Sequence, residues 1–217
     1  MSIDAMIGRA DRILRAAFAV PPRTPRPMPG LEAGPGADAT APDDAALTED
    51  ERRHAAGLMR VNHAGEVSAQ ALYVGQSLAS RTGEIRRLMD RSADEEFDHL
   101  IWCRRRLEEL DARPSRLDPL WFGGAFAMGV AAGALGDRVS LGFLAETERQ
   151  VVAHLDDHLA RLPAGDARSR AILTAMKRDE AHHANTAVAH GALEFPAPVR
   201  RGMQAVSRLM TRSAYWI

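Results

Sequence analysis

Apolar and polar positions follow a helical period along almost all of this chain, and no convincing run of alternating β-branched residues interrupts it. Four long helices are predicted: about Asp50 to Ser80, Glu84 to Leu110, Asp137 to Leu162, and Asp166 to His190. Thr48 and Glu51 stand at capping-box spacing at the start of the first. Arg81-Thr82-Gly83 separates the first pair, Arg113-Pro114 closes the second helix, and Leu162-Pro163-Ala164-Gly165-Asp166 separates the second pair. Gly191 and Pro196 end the fourth, and a last helix is expected from about Pro198 to Ala214. The fold class is all-α.

Two stretches depart from this pattern. At the start, Ile3, Ile7, Leu14 and Phe18 recur near helical spacing among Arg9, Arg12 and Arg15, so residues 1–19 read as an amphipathic helix that docks on the bundle or on a membrane surface. Asp4 and Asp11 argue against a transit peptide, and no basic segment leads into an unbroken apolar core as in a signal peptide. Residues 20–46, rich in Pro, Gly and Ala, read as a linker, leaving 47–217 as the folded domain. The second departure is Pro119 to Gly136, eighteen residues without a charge between the second and third long helices. Its length is the short edge of a membrane span, and Gly129-x-x-x-Gly133 offers a face for close helix packing. A contact with a membrane surface or another chain is the favoured reading, with core burial next.

Composition narrows the picture a little. The 217 residues carry 28 basic and 29 acidic side chains, so no global field for nucleic acid exists. The single cysteine, Cys103, excludes an intramolecular disulfide and fits a reducing compartment.

The chemistry lies in a repeat. Glu66 is followed by Glu96-Phe97-Asp98-His99, and Glu148 by Glu180-Ala181-His182-His183. Residues three apart share one helix face, so each Glu-x-x-His pair can grip one metal. Antiparallel helices bring two ligands to one level only if the turn falls midway between them. Position 81 lies midway between Glu66 and Glu96, and position 164 midway between Glu148 and Glu180; both fall in the breakers named above. A lone Glu and a Glu-x-x-His pair, each occurring twice, form the di-metal ligand set of a ferritin-like four-helix bundle. Here that bundle would carry a long apolar crossover and an extra C-terminal helix.

Other residues compete for these roles. Glu51-Arg52-Arg53-His54 is a decoy without a hairpin partner, read as a solvated first turn. Glu95 and Glu146 contest Glu96 and Glu148, and Glu95 also has a permitted helical spacing to His99. Any one of these glutamates alone is more often a surface residue. Tyr73, seven residues after Glu66, is placed near the metals to donate a hydrogen bond or an electron, or simply to pack. His63 reads as a partner behind the ligands; His154 and His182 fall off the ligand stripe. Hard carboxylates with two imidazoles suit iron or manganese better than zinc.

Arg60-Val61-Asn62-His63-Ala64-Gly65-Glu66, continuing to Tyr73-Val74-Gly75-Gln76, resembles the opening motif of the Coq7 family of demethoxyubiquinone hydroxylases. The resemblance runs on through Asp98-His99-Leu100, Pro119-Leu120-Trp121, Glu148 and Asp179-Glu180-Ala181-His182-His183; Asn62 stands where many members have Asp. It implies hydroxylation of a polyprenyl benzoquinol by O2, with two iron ions held by Glu66, Glu96, His99, Glu148, Glu180 and His183. It also implies NADH or the quinol as electron donor, and a peripheral position on the cytoplasmic face of the inner membrane. A homo-oligomer or a complex of ubiquinone-biosynthesis enzymes stays open. Two rivals are a ferroxidase of the ferritin type and a metal-free helical adaptor in lipid biosynthesis.

Overall fold

The computed structural model describes Asp11, residues 26–30 and residues 47–217. The helix expected over 1–19 therefore lies outside the described residues apart from Asp11, as does most of the 20–46 segment. Six helices occur among the described residues: α1 (Glu49–Ala79), α2 (Gly83–Glu109), α3 (Asp118–Ala134), α4 (Asp137–Arg161), α5 (Ala167–Ala189) and α6 (Ala197–Trp216). No strand occurs there.

Helices α1 and α2 form one antiparallel hairpin, tied by Ser77 to Asp90 and by Gln70 to the Ala93 carbonyl. Helices α4 and α5 form the other, tied by Lys177 to Asp156 and by Arg170 to the Leu159 carbonyl. The caps explain where these helices begin. Thr48 accepts from the Glu51 amide while the Glu51 carboxylate accepts from the Thr48 amide, a complete capping box. Thr82 caps α2 and also donates from its hydroxyl to Asp137, which locks the first hairpin turn onto the start of α4. Asp166 caps α5 at the Ser169 amide and pairs with the fully buried Arg106 at 2.9 Å, joining α2 to α5 at the other end.

The apolar crossover is the helix α3. It returns the chain from the end of α2 to the level of the first hairpin turn, where α4 starts, as the long connection of a ferritin-like bundle must. No described helix is long and apolar enough to cross a membrane. One face of α3 is buried by backbone approach to α1. A Cβ on Gly129 would stand 2.3 Å from the Leu72 carbonyl oxygen, and one on Gly75 2.5 Å from that of Phe126. Gly133 meets Ala79 in the same way. The other face leaves Leu120 63% and Leu135 71% exposed. Core burial therefore holds for the glycine side only.

Residues 26–30 are seated on the bundle: Met28 is buried in the apolar cluster around Leu58, Trp102 and Ile172. The C-terminal helix α6 is fastened by Tyr215, whose ring fills the space over Gly57, whose hydroxyl meets His54 Nδ1 at 2.7 Å, and whose carbonyl accepts from Arg60. The decoy pair thus has structural partners. Glu51 belongs to the cap, and His54 is held by Tyr215 and the Arg161 carbonyl rather than solvated.

Gly129→Ala places a methyl against backbone that cannot swing aside, so we expect it to cost about 1–3 kcal/mol. Gly123→Ala, on the same helix with open space around its Cβ, should be neutral or stabilising by up to about 1 kcal/mol. Urea unfolding of the two variants checks the pair, and equal stabilities would mean that α1 and α3 do not depend on backbone contact.

Candidate metal centre

Two apolar clusters divide the bundle along its length. One gathers Leu58, Met59, Cys103, Leu107, Leu155 and Met176; the other gathers Tyr73, Leu88, Met89, Leu141, Leu144 and Ala187. Between them the four bundle helices place one polar layer. Glu66 comes from α1, Glu96 and His99 from α2, Glu148 from α4, and Glu180 and His183 from α5; all six are buried.

Their ligand atoms form two overlapping groups, Glu66, Glu96, His99 and Glu180 in one, and Glu96, Glu148, Glu180 and His183 in the other. Within each group the atoms lie within 4.8 Å of one another. Glu96 reaches both imidazoles, with its two oxygens 2.9 Å from His99 Nδ1 and 2.9 Å from His183 Nδ1. Glu180 does the same from the opposite hairpin, at 3.1 and 3.4 Å. Glu66 and Glu148 stand at the two ends. Two sites that share a pair of carboxylates are thereby laid out.

The residues present fit a pair of cations. Glu66 Oε2, Glu96 Oε1, Glu180 Oε2 and His183 Nδ1 are buried in this layer within ion-pair distance of an opposite group but without an aligned hydrogen bond, which leaves their hydrogen-bonding capacity unmet. Both histidines point Nδ1 inward and have Nε2 held from outside. His99 Nε2 lies 3.2 Å from Asp179, and His183 Nε2 lies 2.7 Å from Glu95. An outer carboxylate on the far nitrogen is the usual support of a metal-bound imidazole.

The competing neighbours point in different directions. Glu96 is the inward residue, while Glu95, half exposed, stands behind His183. Glu146 is turned to Gln150, at 2.7 Å, and stays outside the layer. Tyr73 is fully buried, and its hydroxyl donates to Glu148 Oε1. His63 faces Asp118 at 3.1 Å and ties α1 to the start of α3, so it does not back the ligands. His182 is exposed, and His154 stacks on His158 with ring centroids 3.8 Å apart. Sequence spacing missed Asp179, Asp98 and Arg26 behind His99. The first two sit beside ligands in sequence, a signal too common to single them out; Arg26 offers none.

Electrostatics follow from burial. Burial pushes Glu66 and Glu148 well above the usual carboxyl range, and the neighbouring carboxylates push the same way. Burial would raise Glu96 as well, but His99 and His183 outweigh it and hold it far below that range. Both histidines are raised above the usual imidazole value, because the surrounding carboxylates overcome burial. Burial, and then the Glu148 charge, raises Tyr73 well above its usual value and keeps it a neutral donor.

An apolar cavity of about 740 Å³ runs to this layer. Glu66, Glu148 and Glu180 line its inner end; Leu72, Trp121, Val151 and Met203 line its walls. Leu120, Met128, Val206 and Leu209, all exposed, line it too, so its mouth lies between α3 and α6.

The model of the family described as ubiquinone biosynthesis protein COQ7 matches residues 53–214. A protein named 3-demethoxyubiquinol 3-hydroxylase from Nitrosomonas europaea is 52% identical over 217 residues, covering the whole of both chains. Its namesake from Ralstonia pickettii is 53% identical over 216 residues, covering 99% of this chain and all of the relative. That from Cupriavidus necator is 55% identical over 215 residues, with the same coverage.

The raised carboxyls give a sign to the pH dependence. At Glu66 and Glu148 the folded metal-free protein binds more protons than the unfolded chain above the ordinary carboxyl value of 4.5. The contribution of these two groups to stability is therefore complete below that value and falls as pH rises through the raised values, while His154 and His158, lowered by burial, contribute with the opposite sign as pH falls below 6.5. Added Fe²⁺ should displace protons and bind more tightly with rising pH. Denaturation of metal-free protein at several pH values and calorimetry in two buffers check this. A Glu148→Gln variant whose stability changes from pH about 5 to about 8 just as that of wild type does would contradict it.

Proposed function

The chain belongs to the ubiquinone biosynthesis protein COQ7 family, and on that premise we propose that it is a 3-demethoxyubiquinol 3-hydroxylase. It places a hydroxyl on the ring of a polyprenyl benzoquinol. Ring C–H and O2, with two electrons and two protons, become C–OH and water. The electrons come from NADH or from a quinol.

The observation that carries this reading is the cavity. An apolar passage that ends on buried carboxylates suits a substrate with a long hydrocarbon tail and a redox-active head. A ferroxidase has no use for it, and a metal-free adaptor has no use for the buried ligand layer. In our reading Glu66, Glu96, His99, Glu148, Glu180 and His183 would hold two iron ions, and Glu96 and Glu180 are the two carboxylates that each reach both imidazoles. When bound, the iron pair supplies the activation of O2 that the ring itself cannot achieve.

The protein's own groups orient and exclude. Leu72, Val151 and Met203 keep the inner passage apolar, so water does not compete with the ring for the reacting position. Asn62, one turn before Glu66, is buried, lines the passage, and has an amide oxygen without a protein partner. We assign it to accept a hydrogen bond from a ring hydroxyl. Tyr73 donates to Glu148 and does not line the passage, so its role is to hold that carboxylate in place.

The mouth also suggests where the protein works. Around it, α6 exposes Val199, Val206, Leu209 and Trp216, and α3 exposes Leu120 and Met128. Helix α6 carries Arg200, Arg201, Arg208 and Arg212 and no acidic residue. An apolar face ringed by arginines fits peripheral binding to an anionic membrane, with substrate entering from the bilayer. We place the protein on the cytoplasmic face of the inner membrane.

Glu148→Ala should abolish hydroxylation yet keep helicity, since removing one clustered carboxylate also relieves repulsion. The check is expression in a bacterium blocked at this step, with quinones read by mass spectrometry; wild type should convert the demethoxy precursor and the variant should not. Glu51→Ala should leave iron content unchanged, because that residue only caps α1. Leu120→Glu with Leu209→Glu should reduce sedimentation with phosphatidylglycerol vesicles while iron binding persists. Unchanged sedimentation would remove this face from the proposal.

A further inference from the structure

Residues 26–30 lie across α2 and α5 on the outer side of the metal layer, in a segment whose composition announced only a linker. Their contacts converge behind one proposed ligand. The Arg26 amide donates to Asp98 Oδ1 at 3.0 Å, its Nε to Asp98 Oδ2 at 2.5 Å, and its Nη2 to Asp179 Oδ2 at 2.8 Å. That same Asp179 oxygen is 3.2 Å from His99 Nε2, which itself lies 3.4 Å from Arg26 Nη2. The guanidinium stands over the Trp102 ring at 4.8 Å, and Trp102 Nε1 donates to the Arg26 carbonyl. Met28 is buried in the core, and Arg168 donates to the Gly30 carbonyl at 3.0 Å. The strap is thus fastened at its arginine and again beyond it, at Met28 and Gly30.

We propose that Arg26 is a positioning residue for the metal centre: by clamping Asp98 and Asp179 together it fixes the carboxylate behind His99, so that His99 donates from Nε2 and presents a bare Nδ1 to the metal. The inference rests on reading the buried layer as a metal centre. Its physical basis is rotamer freedom. Asp179 is partly exposed, at 17% for its side chain, and apart from Arg26 the cation near it is the exposed Arg178, 3.5 Å from the oxygen that does not face His99, so the guanidinium of Arg26 is what aims the facing oxygen. A planar fork spans two carboxylates in a way that a lysine ammonium cannot. The effect is also one-sided. Arg26 touches Asp98, Asp179 and His99, whereas it acts on Glu95, the carboxylate that backs His183, through charge and not through a hydrogen bond.

The test is anaerobic titration of the full-length protein with Fe²⁺, by calorimetry and by near-infrared magnetic circular dichroism, for wild type, Arg26→Gln, Arg26→Lys and Glu95→Gln. We expect Arg26→Gln to weaken one of two binding events by about tenfold to a hundredfold and to change one ligand-field pattern. Arg26→Lys should recover only part of that loss. Glu95→Gln should weaken the other event. Both arginine variants should keep wild-type helicity by far-ultraviolet circular dichroism; if the glutamine variant does not, the lysine variant decides. Wild-type affinity and spectrum in Arg26→Lys and in a folded Arg26→Gln overturn the proposal, as does a lower melting temperature with unchanged binding. A wild-type protein that takes up no Fe²⁺ overturns the metal-centre reading itself, a separate result.

Discussion

Four carboxylates meet in the dry interior of this bundle, and the rest of the structure answers to that fact. Each is costly to bury as an anion, and together they repel. Two responses are visible. At Glu96, near both imidazoles, their charge favours the anion; at Glu66 and Glu148 burial and the neighbouring carboxylates favour the protonated form. Neither response makes the layer a good structural core, because several of its buried atoms still lack an aligned hydrogen bond. Two divalent cations would remove repulsion and orphaned atoms at once. The layer makes physical sense as a binding site held ready at the expense of stability.

Holding it ready falls to the neighbours. Apolar clusters on both sides fix the helices that carry the ligands, and the buried Arg106–Asp166 pair and the Thr82–Asp137 contact pin opposite ends of the two hairpins together. Closer in, Tyr73 fixes Glu148, Glu95 fixes His183, and Asp179 fixes His99. Only the last of these depends on a residue outside the bundle. The layer is therefore supported to different degrees along its length, with the His99 end relying on a strap that joins the fold from far away in sequence.

Much of this was legible in the sequence because it is local. Helix period, caps and breakers are short-range signals, and the observed ends of α1, α2, α4 and α5 fall within one or two residues of expectation. The meeting of these side chains at one level was legible because hairpin symmetry turns sequence distance into spatial level, so Glu66 with Glu96, and Glu148 with Glu180, could be matched by counting. What counting cannot supply is side-chain direction at contacts between distant segments. His63 was expected behind the ligands and instead faces Asp118; His54 was expected in solvent and instead meets Tyr215, 161 residues away. Arg26 belongs to the same class. Its partners lie 72 and 153 residues on, and its Pro-rich surroundings carry no period from which to read a face.

The crossover shows why one helix can look like a membrane segment and yet pack within a helical bundle. Its glycines are needed on one side, because α1 and α3 approach until a single methyl would strike a carbonyl. Its opposite side is free to be apolar, and there it forms a wall of the passage to the carboxylates. Lack of charge therefore reflects two separate demands, close packing inward and a lipid-like lining outward, rather than a need to span a bilayer. A charged residue on the inward face would be buried without a partner, and one on the outward face would stand in the path of an apolar substrate. On this argument the helix that opens the passage and the helix that buttresses α1, and through it Glu66, are one element because both tasks exclude charge.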